Sequence, residues 1–525
     1  MRRPNPPYLA VISLLALAAF AVRAVSLDAQ SLWRDEVDAL RFVTVPWSEM
    51  ISNFARPGWN GPLYFLLLRG WVSLTGTSEY AMRFSSLAFG VLCVPLVYTL
   101  GRHLFNRLVG LLAALLVSAS PYLTWYGQEV KMYTLVPALA LVAIYAQKAG
   151  LRCAVERNGW RWWVVQVVAT SLAFYTHILA ALLIPVQVLL YLIWWPRAPR
   201  QWIGPLVGLV CLILPYLPLV VWQAPLMLQA RETGFCPYTL GEMAEILLNG
   251  WSLGILSRGW PWGTVLVGAL AVWGLVSPLF LRVKGLEHRL ALVCWLVTPL
   301  LIVWLISLRH PLFTDRYLVW TAPAFYLLVA LGLVSLQRFG GWGRWAVVLL
   351  ASIVLALNGI NLWQQATVPI KSDFRAAAAY IADYHTSDEP IVQAADRPIE
   401  PIEEYIFKYY LPLVVADYPT FDELIVFQIP YGRYTFDYYF PEEKYPWAEG
   451  LYTNHRTPDG SYLMSEQEAA YRMREMTMGR NVVWLVATET TMWDNRGLVQ
   501  AWLETNAQRV DEAHFMRVDV YRYVK

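Results

Sequence analysis

The chain has 525 residues, of which 57% are hydrophobic and only 15% charged, with a mean hydropathy of +0.41. A soluble protein carries about a quarter charged residues, so this composition excludes an ordinary soluble enzyme. The net charge of +3 hides a division: residues 364–525 hold 15 Lys and Arg against 25 Asp and Glu. An acidic segment of that kind argues against a nucleic-acid partner, which favours a basic face. The five cysteines (Cys93, Cys153, Cys211, Cys236 and Cys294) form neither a disulfide framework nor a metal cluster by spacing.

Apolar runs long enough to cross a bilayer recur from the N-terminus to residue 363. Spans are predicted at 8–26, 84–101, 108–121, 132–148, 162–176, 178–195, 203–222, 262–281, 289–308, 317–336 and 345–363. Met1-Arg2-Arg3 followed by an apolar run resembles a signal peptide, but the further spans make it an uncleaved first helix. The stretch 62–75 is short and carries Arg69, so it is predicted to lie at the interface. The expected architecture is a polytopic α-helical membrane protein, with about eleven transmembrane helices (residues 1–363) and a C-terminal α/β domain (residues 364–525).

Charge sets the orientation. With a cytoplasmic N-terminus, the cytoplasmic segments collect Arg2, Arg3, Arg102, Arg107, Lys148, Arg152, Arg157, Arg161, Arg197, Arg200, Arg282, Lys284, Arg289, Arg338 and Arg344. They contain only Glu156 and Glu287 as acids. That bias follows the positive-inside rule and makes the C-terminal domain extracytoplasmic, on a multi-pass plasma-membrane protein. The opposite face then gathers WRDE (33–36), RPGWNGP (56–62), WYGQEVKMY (125–133), YTH (175–177) and RHPLFTDRY (309–317). Polar groups at membrane depth usually face a bundle interior or a cavity.

In the C-terminal domain, helices are predicted at 373–384, 465–478 and 492–504. Strands are predicted at 391–394, 411–416, 482–488 and 515–524, with a long loop over 426–452. There is no Gly-rich nucleotide fingerprint, P-loop or internal repeat.

Several outer residues are candidates for chemistry. Asp35 and Glu36 are adjacent carboxylates that point in different directions, one suited to take a proton and the other to orient a donor, a metal or Arg34. Glu129, with Gln128 and Lys131, sits among Trp125, Tyr126 and Tyr133. His177 joins two spans. Arg316 with Tyr317 pairs a bidentate guanidinium with a hydroxyl, suited to a phosphate. Arg56, Arg69, Arg83 and His310 are further cationic candidates. For each of these the bland alternative is surface ion pairing or a hydrogen-bonded structural role, and spacing alone names no reaction.

The stretches GPLYFLLLRGWVSLTGTSEYAMRFSSLAFGVLCVPLVYTLGRHLF (61–105), SPYLTWYGQEVKMY (120–133), HPLFTDRYLVWTAPA (310–324) and SDFRAAAAYIADY (372–384) resemble the GT-C superfamily of membrane glycosyltransferases. The likeness is to the family 39 group, which includes protein O-mannosyltransferases and the lipid A aminoarabinose transferase. The resemblance implies an inverting transfer from a polyprenyl-phosphate-linked sugar to a lipid, glycan or protein acceptor at the outer face. It implies Asp35 as base with Glu36 as its partner, Glu129 as a further acid, and Arg316 and Tyr317 at the lipid phosphate. Some relatives bind a divalent cation, for which Asp35, Glu36 and Glu129 are the residues available. Many relatives read His-Pro-Pro where this chain has Asn60-Gly61-Pro62, which leaves that histidine's role unfilled. Two other classes fit the composition: a lipid-linked substrate transporter, which would need polar span centres, and a non-catalytic assembly factor for envelope polysaccharide.

Overall fold

The computed structural model describes residues 6–54, 61–153, 159–195, 202–213, 217, 236–256, 261–281, 285–387, 422–440, 445–457 and 459–525. The chain forms two compact units, Met1–Leu27 with Ala39–Val368, and Asp28–Asp38 with Pro369–Lys525.

The first unit is a bundle of apolar helices. Among the described residues six are long and apolar enough to cross a membrane, or seven if one bent pair forms a single span. Helices occupy each predicted stretch, although 214–216 and 218–222 of the seventh lie outside the described residues. The predicted interfacial segment is the Leu63–Thr75 helix. Its Arg69 donates to the carbonyls of Val43 and Val45, 2.8 and 2.5 Å away, where the Arg34–Thr44 helix ends. Arg69 is therefore spent on a helix C-terminus, whose orphan carbonyls and dipole favour a cation.

The bent pair shows how a broken span is made tolerable. The Arg107–Ser118 helix stops short, and Pro121–Gly127 continues at 57° to it. Pro121 has no N–H to give to the carbonyl of Val117. Arg23, fully buried in the Pro6–Ala24 helix, supplies the donors instead: it reaches Val117 O at 3.0 Å and Ser118 O at 3.1 Å. Without water, such carbonyls must be satisfied internally. Arg23→Leu leaves both without that donor, an expected loss of about 2 kcal/mol or more, read as a lower unfolding midpoint in detergent titration. An unchanged midpoint would show that other donors replace the guanidinium.

Close packing elsewhere depends on two glycines. A Cβ on Gly274 would lie 2.0 Å from Leu328 O, and one on Gly332 would lie 2.0 Å from Leu270 O. The Pro261–Leu281 and Ala322–Leu336 helices therefore meet backbone to backbone, as small residues allow in membranes. Gly332→Ala is expected to cost about 1–3 kcal/mol by overpacking, again measured by detergent unfolding.

The second unit is an α/β sandwich. Its strands are β1 (Glu423–Phe427), β2 (Trp447–Glu449), β3 (Val482–Ala487), β4 (Gln508–Phe515) and β5 (Val518–Val524), in the order β2-β1-β3-β5-β4. The pairs β2–β1 and β1–β3 are parallel, while β5 runs antiparallel to β3 and β4. Alternation decides the faces. Leu424, Val426, Val483 and Leu485 pack with Met473, Met476, Val499 and Leu503. Ile425, Phe427, Trp484 and Val486 pack with Phe374, Ala377, Ala378 and Ile381. Those four come from positions i, i+3, i+4 and i+7 of the Phe374–Ser387 helix, the apolar stripe of an amphipathic helix.

Three expectations need correction here. The segment 426–452 is not one loop: it carries the end of β1, the Gly432–Tyr439 helix and β2. The predicted helix 492–504 is two, Thr490–Trp493 and Leu498–Asn506, parted where Gly497 takes φ +63 and buried Asp494 accepts the N–H groups of Leu498 and Val499. The predicted strand 515–524 is a hairpin end, since Arg517 at φ +56 turns the chain between β4 and β5. The predicted strands 391–394 and 411–416 lie outside the described residues.

Candidate functional site

The described candidate residues fall into two groups, one in each unit. In the second unit, Asp35 and Glu36 occupy the first turn of the Arg34–Thr44 helix, where the helix dipole favours carboxylates. Their surroundings differ. Glu36 has no exposed surface, and its carboxylate accepts from Lys371 Nζ at 3.0 Å and from the Trp33 N–H at 3.4 Å. Asp35 is half-buried. The adjacent carboxylates are thus already differentiated, Glu36 held in a buried ion pair and Asp35 nearer to solvent.

The segment before them is pinned along its length. Gln30 accepts the N–H groups of Ile370 and Lys371 at 3.0 and 3.1 Å. Ser31 donates to Ser372 O at 2.6 Å, and the Tyr439 hydroxyl accepts the Leu32 N–H at 2.5 Å. Arg375 donates to Asp28 O at 2.9 Å. The Arg34 guanidinium lies 3.8 Å over the ring of Tyr431, a cation–π contact.

In the first unit, residues from three distant segments come together. Asp315 opens the turn that leads into the Ala322–Leu336 helix. Its carboxylate accepts from the Tyr126 hydroxyl at 2.8 Å, and its carbonyl accepts from the Tyr122 hydroxyl at 3.0 Å. That fixes the backbone from which Arg316 and Tyr317 project. The Arg316 guanidinium lies 5.8 Å from the ring centres of both Tyr133 and Tyr317. The rings form a continuous series: Tyr122 to Tyr126 at 5.0 Å, Tyr126 to Tyr133 at 5.4 Å, Tyr133 to His177 at 6.4 Å, and His177 to Tyr317 at 4.9 Å. Nδ1 of His177 accepts the Leu179 N–H at 3.2 Å, so the ring proton sits on buried Nε2. Burial first, then Arg316 and Lys131, pushes this imidazole down to about 4, so it is neutral at physiological pH. Sequence reasoning missed Asp315, Tyr122 and Tyr126 as the support of this group. The signal was there: an aspartate directly before Arg-Tyr, and tyrosines spaced i, i+4 on one face of the Pro121–Gly127 helix.

The other candidates divide. Glu129 is buried beside Tyr126 in the same group. Lys131 is half-exposed, and its carbonyl takes the Ser86 hydroxyl at 2.9 Å. Gln128 instead ties the chain, donating to Arg23 O and Val25 O at 2.9 and 3.1 Å. Arg83 is buried and donates to Leu27 O at 2.8 Å. Among the described residues no hydrogen bond or ring contact links His310 to the Tyr317 group; its N–H closes the end of the preceding helix on Ile306 O. Arg56 and Asn60 lie outside the described residues. Among the described residues no three His, Cys, Asp or Glu side chains gather to hold a metal ion. Of the acids considered for one, Glu36 is engaged by Lys371.

The fold is that of the GT-C membrane glycosyltransferases. The chain is similar over 97% of its length to 97% of ArnT from Cupriavidus metallidurans, with a TM-score of 0.56 and 13% identity. A second structure of that protein, bound to undecaprenyl phosphate, gives 0.56 and 14% over the same shares. The archaeal oligosaccharyltransferase AglB from Archaeoglobus fulgidus, in complex with an inhibitory peptide and a dolichol-phosphate, gives 0.52 and 13%, over 95% of this chain and 71% of that one. The sequence model for the family described as dolichyl-phosphate-mannose-protein mannosyltransferase matches residues 57–222. Among curated proteins none matches the sequence.

Proposed function

We propose that the protein is a polyprenyl-phosphate-dependent glycosyltransferase that moves a sugar to an acceptor at the outer face of the plasma membrane, with inversion. The observation that carries this reading is the convergence of Lys131, His177, Arg316 and Tyr317 in a bundle of this fold. A lipid phosphate keeps its tail in the bilayer, so its charge lies at interface depth, where a guanidinium, an ammonium and a tyrosine hydroxyl can meet it. The structures of ArnT with undecaprenyl phosphate and of AglB with dolichol-phosphate support the lipid class. The charge bias of the sequence supports a cytoplasmic N-terminus and an extracytoplasmic second unit.

In this reading Asp35 takes the proton of the acceptor hydroxyl or amine as its oxygen or nitrogen attacks the anomeric carbon. The bond from that carbon to the phosphate oxygen breaks, and polyprenyl phosphate leaves. Arg316 and Lys131 stabilise the charge that grows on the leaving phosphate. Glu36 serves beside Asp35 by holding the turn through Lys371. The direct test is transfer by purified protein in lipid nanodiscs, offered a panel of polyprenyl-phosphate sugars and candidate acceptors. Release of polyprenyl phosphate coupled to glycosylated acceptor is the expected result. Failure with every donor, by protein that also shows no preference for polyprenyl phosphate over polyprenol, would sink the reading.

A further inference from the structure

The second unit contains the Asp28–Asp38 segment as well as Pro369–Lys525, so the turn bearing Asp35 is folded as part of the C-terminal domain. We propose that this domain is a working part of the transferase, and that Lys371 is the positioning residue through which it holds Asp35 in place. The inference rests on the reading of Asp35 as base, and it assigns the domain and Lys371 a role in that same chemistry.

The contacts are those of a built clamp. Glu36 is fully buried and Lys371 is 7% exposed, with their charged atoms 3.0 Å apart. Burying two charges is costly, and the pair holds only while both partners are present. The Lys371 ammonium also lies 5.7 Å from the ring centre of Trp33, whose N–H meets the same Glu36 carboxylate. Ion pair, indole and backbone thus fix the start of the helix at Trp33, two residues before Asp35, and at Glu36, directly after it. Five further hydrogen bonds, two accepted by Gln30 and the others donated by Ser31, Arg375 and the Leu32 N–H, bind the approach to that turn along residues 370–375 and Tyr439. A displacement of about 1 Å in a catalytic group costs on the order of 100-fold in rate. A clamp at the neighbouring residue is therefore a direct control on catalysis.

The experiment uses the full chain in lipid nanodiscs, with Lys371→Met, Glu36→Gln and the exchanged pair Glu36→Lys with Lys371→Glu. Two quantities are read: hydrogen–deuterium exchange of peptides covering 28–38, which needs no substrate, and kcat and donor KM for transfer. Lys371→Met is expected to raise exchange in 28–38 about tenfold, with the Glu79–Leu104 helix unchanged. It is expected to lower kcat about 10–100-fold while donor KM stays within about twofold. Glu36→Gln keeps the shape and the Trp33 contact and is expected to show a smaller change of the same kind, so it serves as the test if Lys371→Met fails to fold. The exchanged pair recovers part of both losses. Unchanged exchange in 28–38 overturns the clamp whatever the activity. Raised exchange with unchanged kcat overturns the positioning role. A wild type that transfers nothing counts against the proposed function alone, since the clamp is then judged by exchange.

Discussion

Asp35→Asn is expected to reduce transfer by about 10²–10⁴-fold, the usual contribution of a positioned general base, with insertion, folding and donor binding unchanged. Asparagine keeps the size of the side chain and loses the ability to take a proton. The neighbouring acid cannot replace it: Glu36 is fully buried and paired with Lys371, and adjacent residues at the start of a helix point in different directions. Asp35 also sits in the first turn of the Arg34–Thr44 helix, which favours its charged form. The measurement is single-turnover transfer by wild type and variant at equal, saturating donor. Equal rates would remove Asp35 as the base and return the segment to an architectural role.

Arg316→Ala is expected to weaken binding of polyprenyl phosphate by about 10–100-fold, the scale of one lost charge-assisted hydrogen bond. Binding of the uncharged polyprenol should not move. Tyr126 and Tyr122 hold Asp315 from two sides, so the backbone that presents Arg316 stays in place in the variant, and the loss reads the guanidinium itself. Arg316→Lys should recover part of it, because an ammonium supplies the charge without the bidentate fork. Titration of both lipids into wild type and variants decides the matter. A variant that loses polyprenol binding equally has lost the shape of the site instead.

The membrane helices were legible because hydropathy is additive along a run, and Pro261–Leu281 or Leu286–Ser307 declare themselves without knowledge of any partner. The group around Arg316 and Tyr317 was half legible. The charge-based topology expected residues 125–133, 177 and 309–317 on one face, and the structure joins Tyr126, Tyr133, His177 and Tyr317 through ring contacts. What sequence reasoning could not supply was the partner of each charge. Glu36 and Lys371 are separated by 335 positions, and nothing local marks Lys371 as the counter-ion. Arg69, Arg83 and Gln128 read as ligand candidates because their true acceptors are backbone carbonyls, which carry no sequence signature. The strand β1 was hidden for another reason. It is buried on both faces and follows residues with no clear alternation, so the Tyr- and Pro-rich stretch after it dominated the reading.

The arginine that repairs the broken span also bears on how the chain is made. During synthesis the Pro6–Ala24 helix emerges before the Arg107–Ser118 helix, and Arg23 enters the lipid before Val117 and Ser118 exist. A lone arginine disfavours insertion by up to about 3 kcal/mol at the centre of a helix and less near its end. The Pro6–Ala24 helix is therefore a reluctant anchor when newborn and a committed one once the predicted span 108–121 has arrived. In this pairing the donor is made before its acceptors, which follow it by 94 and 95 residues.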